Sequence, residues 1–113
     1  MPRRNKPAAS APFAPLVLPS ELSIYTVREL HPQWLAWSTA AAAAEADAAC
    51  VQGGGVGEVD AAGLQMLLAL ERTLAERGRR LRIDSPSAAL QAACAAAGLA
   101  DWLQALAGME CTA

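Results

Sequence analysis

The chain reads as an α/β protein, a mainly parallel sheet with helices packed on it, and three observations lead there. Short apolar runs alternate with longer segments of helical spacing in the order strand, helix, strand, helix, strand, helix, helix. Alternation of this kind favours a parallel sheet covered by helices. The stretch VDAAGLQMLLALERTLAERG holds a clear amphipathic helix closed by glycine, and 113 residues suffice for one domain that buries its core without disulfides or a metal.

The first strand is Leu16-Val17-Leu18, after an opening rich in Pro and Ala. Residues 1–14 carry few groups able to join a core, which marks them as a flexible arm ahead of a domain over residues 15–113. SIYTVREL then has a compact helix-start signature. Thr26 is a good N-cap, Glu29 completes a capping box, and Tyr25 and Leu30 are spaced as a hydrophobic staple. Pro32 follows after one turn and removes a helical donor, so the sequence predicts either a kink there or a helix proper beginning at Pro32. The segment continues through Trp34, Leu35 and Trp37 into an alanine run ending near Asp47.

Ala49-Cys50-Val51-Gln52 reads as a strand running into Gly53-Gly54-Gly55-Val56-Gly57, where glycine weakens the strand or marks a bulge or close backbone approach. In the next helix Leu64, Leu67, Leu68 and Leu74 recur at helical spacing, with Glu71, Arg72, Glu76 and Arg77 on the other faces and Gly78 as the stop. Leu81-Arg82-Ile83 alternates as a strand should. Asp84-Ser85-Pro86 offers an N-cap followed by proline at the first helical position of a third helix, Pro86 to about Ala97, closed by Gly98. A short last helix, Asp101 to Ala107, carries Trp102, Leu103 and Leu106.

Composition narrows the function classes. The apolar fraction of 54% overstates the core, because 28 of those residues are alanine, a helix former with little surface to bury. A formal charge of −2 gives no bias toward nucleic acid, and the basic cluster Arg3-Arg4-Lys6 sits in the arm. Prolines 7, 12, 15 and 19 interrupt any signal-like segment and no 18-residue apolar run exists, so membrane insertion is not expected. Three widely spaced cysteines, Cys50, Cys94 and Cys111, with one histidine support neither a disulfide framework nor a zinc site, and point to a reducing, cytoplasmic setting.

Catalytic and cofactor motifs fail one by one. After the glycine run come Glu58-Val59-Asp60, where a Walker loop needs lysine and a hydroxyl, and G-x-G-x-x-G fits only with Glu58 in the last glycine position. The sole base for a cysteine nucleophile, His31, directly precedes Pro32 and reads as a surface or helix-start residue. Asp60 before a helix is explained by capping and the helix dipole. Trp34, Trp37 and Trp102 read as core anchors, and Arg79, Arg80 and Arg82 as a solvated turn and strand edge. No acid, base and nucleophile converge, so no enzyme, cofactor or metal site is expected.

Three stretches, ELSIYTVREL, VGEVDAAGLQMLLAL and RGRRLRIDSPSAALQAACAAAGLADWL, together resemble the STAS domain of bacterial anti-sigma-factor antagonists over roughly Leu16 to Leu106. The resemblance is most specific at Asp60-Ala61-Ala62-Gly63-Leu64, which matches the family's Asp-Ser-Ser/Thr-Gly-Leu motif at a strand-to-helix junction, with Gly98-Leu99 as a second match. It implies a small mixed, partly parallel sheet with helices mainly on one face. It also implies a protein-docking surface at the motif, here Asp60, Ala61, Ala62, Gly63 and Leu64 with Met66 and the neighbouring exposed face. The family's phosphorylated hydroxyl falls on Ala62, and Ala61 lacks a hydroxyl as well, where the STAS subunit of the Mla phospholipid-transport complex resembles Asp-Thr-Ala-Gly. A phosphate would add about −2 charge at such a surface, so the sequence predicts docking that is constitutive at this motif unless Ser38, Thr39 or Thr73 takes over.

The partner implied is another protein: an anti-sigma factor or switch kinase, a chemosensory or two-component protein, or a transporter ATPase. The alternative class is a small-ligand or nucleotide-binding sensor, which only the glycine run supports.

Overall fold

The computed structural model describes residues 14–44 and 48–108. In chain order its elements are β1 (Leu16–Val17), β2 (Glu21–Leu22), α1 (Val27–Ala43), β3 (Ala48–Gln52), β4 (Glu58–Val59), α2 (Ala61–Glu76), β5 (Arg80–Asp84), α3 (Ala88–Ala96) and α4 (Ala100–Ala107). One sheet runs β1-β3-β5 and a second pairs β2 with β4, and all three pairings are parallel. The expected α/β architecture is therefore present, and the predicted arm lies outside the described residues except for Ala14.

The core forms where the two periodicities meet. Ala49 and Val51 of β3 stand beside Leu81 and Ile83 of β5 in register, all at most 1% exposed. The apolar stripe of α2, Leu64, Leu67, Leu70 and Leu74, is buried in the same cluster, and the spacing of three and four residues is what puts those leucines on one helix face. From α1 come Trp34 and Ala41, from α3 Leu90 and Cys94, from α4 Leu103 and Leu106. Trp37 and Trp102 are half-buried, each with its indole N–H satisfied, by the Ala14 carbonyl and by Glu71. Gly78 and Gly98 end their helices at φ +75° and +77°.

Several local expectations fail for identifiable reasons. Of the two alternatives at Pro32, a start at the proline is excluded: the helix α1 begins at Val27, directly after the predicted N-cap Thr26, and carries Pro32 within it. The carbonyl left without its i+4 donor belongs to Arg28, an exposed residue where water can take the vacant acceptor. Thr26 occupies the N-cap position without a side-chain capping bond, because its hydroxyl is turned backwards, accepting from the Ser23 amide and donating to the carbonyls of Glu21 and Ser23. Tyr25 is 85% exposed and staples nothing. The strands β2 and β4 carry no sequence signal, since two residues are too few to show a period.

Further along, α3 begins at Ala88, capped by Ser87, whose hydroxyl accepts from the Leu90 amide at 3.0 Å. Ser85, at φ +52°, belongs to the preceding turn. Arg82 is buried although strand alternation predicts an outward side chain; α4 packs on β5, and Leu106 of α4 lines the same cleft as Arg82. Nor is Arg79 part of a solvated turn: its guanidinium donates to the carbonyls of Ala41, Ala42 and Ala44, holding the end of α1. Cys94 is a buried free thiol. Cys50 is disulfide-bonded, against the expectation of no disulfide, because proximity in the fold and not spacing in sequence decides which cysteines meet.

Candidate functional site

The corner between β4 and α2 is built around Asp60. Its backbone is extended (φ −117°, ψ −176°), and one carboxylate oxygen accepts from the Gly63 amide at 3.0 Å, the N-cap contact expected of aspartate here. The other oxygen does something that capping does not require. It accepts from the Ile24 amide, 36 residues away in sequence, at 3.0 Å. The Asp60 amide in turn donates to the Leu22 carbonyl at 3.0 Å. Asp60 thus ties the turn after β2 to the start of α2. These amides, Ile24 first and Gly63 second, hold its carboxyl below the usual 3.8.

Gly63 sets how closely the helix approaches that strand. A Cβ on it would lie 2.2 Å from the Leu22 carbonyl oxygen and 2.7 Å from the carbonyl carbon. Only a residue without a side chain allows α2 to seat its first turn on the β2 backbone. Two of the four residues Asp60-Ala61-Ala62-Gly63 therefore build the corner. The two between them, Ala61 exposed and Ala62 half-buried, present methyl groups at its surface.

The other residues singled out from the sequence point elsewhere. Gly63 is buried, Leu64 is 7% and Met66 8% exposed, and both side chains join the core cluster. They fix the position of the corner from inside and present little side-chain surface there. Ile24 (60% exposed) and Tyr25 (85%) flank the corner from the preceding turn. Sequence reading missed them because the link runs through Asp60 and spans 36 residues.

His31 is exposed at the lip of a groove between α1 and α2, lined also by Trp34, Leu35, Met66 and Thr73. That groove encloses about 40 Å³, far below the hundreds of Å³ of a ligand pocket. A more open cleft of about 260 Å³ lies between α2, β5 and Leu106 of α4, lined by Glu71, Arg79, Arg80 and Arg82. Neither is lined by the glycine run. Gly53 serves packing, since a Cβ there would press on Ile83 and Leu90 at 3.3 Å. Among the described residues no group of three or more His, Cys, Asp or Glu could hold a metal. No helix among them is long and apolar enough to cross a membrane.

Compared with known proteins, residues 10–107 match the family model described as "Mlab, STAS domain". No curated protein and no solved structure matches the chain.

Proposed function

The chain belongs to the STAS domain family, and from that premise we propose that it is a protein-interaction module resembling an anti-sigma-factor antagonist. It docks a partner protein through the corner at the start of α2, without phosphoswitching at that motif. One observation carries the reading. The motif keeps the two residues that build the corner, Asp60 and Gly63, and places methyl groups where the family carries hydroxyls. A surface with its geometry retained and its acceptor removed stays in the unphosphorylated, partner-competent form.

The partner classes are an anti-sigma factor or switch kinase, a chemosensory or two-component protein, and a transporter ATPase. A second reading, the STAS subunit of an Mla-type phospholipid-transport complex, is favoured by the description of the matching family. Pull-down from native lysate with wild-type chain and with Ala62→Glu tests both. A protein retained by wild type and lost with the variant is expected; a transport ATPase selects the second reading, and a kinase-like or chemosensory protein the first. Equal retention by the two chains moves the interface away from this corner.

A further inference from the structure

Resting on the docking role proposed above, we infer that Ile24 and Tyr25 are the anchor residues of that interface. Their partner is a protein surface that offers an apolar pocket rimmed by Arg or Lys.

The first ground is a pair of exposed side chains on a backbone that is fully tied down. Four consecutive amides of the turn are each committed: Ser23 to the Thr26 hydroxyl, Ile24 to the Asp60 carboxylate, Tyr25 to the Ser23 hydroxyl and Thr26 to the Ser23 carbonyl. Ser23 is buried and its hydroxyl donates to Glu21, while the Thr26 hydroxyl donates to the Glu21 and Ser23 carbonyls. A turn that only connects β2 to α1 has no need of isoleucine and tyrosine at its most exposed positions, where Gly, Asn or Ser would satisfy the backbone. Holding the backbone rigid while two large apolar groups face solvent lowers the ordering cost of binding. Tyrosine is among the residue types enriched at interface hot spots. Among the described residues the other exposed large apolar side chains, Val17 and Leu35, stand singly on separate elements, as scattered surface residues do.

Charge supplies the second ground and identifies the occupant. Glu21 and Glu58 are register partners in the β2–β4 pair, so two like charges lie side by side at a cost to the sheet. Asp60 adds a third carboxylate beside Ile24, and Glu29 lies in the first turn of α1. Across residues 20–31 and 57–64 there are four carboxylates and one guanidinium, Arg28, a formal −3, where the whole chain carries −2. These two segments hold four of the chain's eleven carboxylates and one of its nine Lys and Arg residues, so the turn that carries the two apolar side chains lies in an acidic part of the chain. Such a field selects a basic partner surface and speeds its approach.

The test places the photo-crosslinking residue p-benzoylphenylalanine at position 25, at position 61 and, as a remote control, at position 97 in the full chain, with irradiation in intact cells and sequencing of the joined peptide. The result expected is that positions 25 and 61 capture the same protein, position 97 does not, and the peptide joined at 25 carries apolar residues flanked by Arg or Lys. With that protein purified, Ile24→Ser should weaken binding about tenfold or more, and ~0.5 M salt should weaken it further by screening. Capture at 61 with none at 25, or an acidic or uncharged peptide at 25, overturns the anchor assignment and leaves docking at the corner standing. Capture at neither position removes both.

Discussion

Replacing Gly63 with alanine reverses an ordinary stability rule, and the structure gives the size of the reversal. Inside a helix, Gly→Ala normally stabilises by roughly 1 kcal/mol, because glycine has the most freedom to lose. At position 63 the added Cβ would stand 2.2 Å from the Leu22 carbonyl oxygen and 2.8 Å from the Leu22 Cβ. The helix must retreat by at least about 1 Å before that contact is tolerable. The obstacle is strand backbone, which has no rotamer to yield. Overpacking of this kind costs about 1–3 kcal/mol and occasionally more, and retreat also pulls Asp60 from the Ile24 amide. We expect a net loss of about 2 kcal/mol or more, a fall of roughly 10 °C in Tm. Gly57→Ala is the control: its Cβ would sit 3.7 Å from the Ser20 carbonyl, an ordinary contact, and stability should stay within about 0.5 kcal/mol. Thermal melts of the three proteins decide it. A Gly63→Ala chain as stable as wild type would refute the claim that α2 is seated on the β2 backbone.

Other consequences follow from the same contacts. Leu67 is fully buried, so Leu67→Ala should cost about 2–5 kcal/mol in urea denaturation, and a smaller loss would place the α2 stripe outside the core. Arg79→Met keeps the apolar stem and removes the donors to the carbonyls of Ala41 and Ala42 in α1 and of Ala44 just after it; it should cost about 1–3 kcal/mol and speed amide exchange at the end of α1. The lowered Asp60 pKa stabilises the fold above the unfolded value of 3.8, and that contribution is lost as pH falls through the lower folded value. Asp60→Asn should therefore be less stable than wild type at neutral pH, with the gap closing below pH 3.8; a gap independent of pH would show that the charge plays no part.

Much of the scaffold was legible in the sequence wherever a pattern ran long enough to declare a period. The α2 stripe and the five-residue strands β3 and β5 are of this kind, while β1 was legible as part of an apolar run and Gly78 and Gly98 as helix stops. The strands β2 and β4 were not, because two-residue strands exist only through their pairing with each other. At the candidate site, Asp60 as a cap was legible because capping is local. Its second bond to Ile24 was not, since nothing near either residue announces a contact 36 positions away. The same blindness explains Thr26 and Tyr25. A Thr-x-x-Glu pattern with flanking apolar residues predicts a capping box and staple, but in the fold the threonine hydroxyl closes the turn and the tyrosine is left on the surface. Motif resemblance found the corner, and only the folded chain separates Asp60, Ala61 and Ala62 at its surface from Gly63, Leu64 and Met66 beneath it.

The measurement that tests the central claim most directly is titration of the wild-type-specific partner from the pull-down into isotope-labelled chain, followed by amide NMR. Shifts gathered at Ile24, Tyr25, Asp60, Ala61 and Ala62, and absent when Ala62→Glu is titrated, are what docking at this corner predicts. Shifts confined to β5 and α4, with the amides of residues 60–62 unmoved, would contradict it.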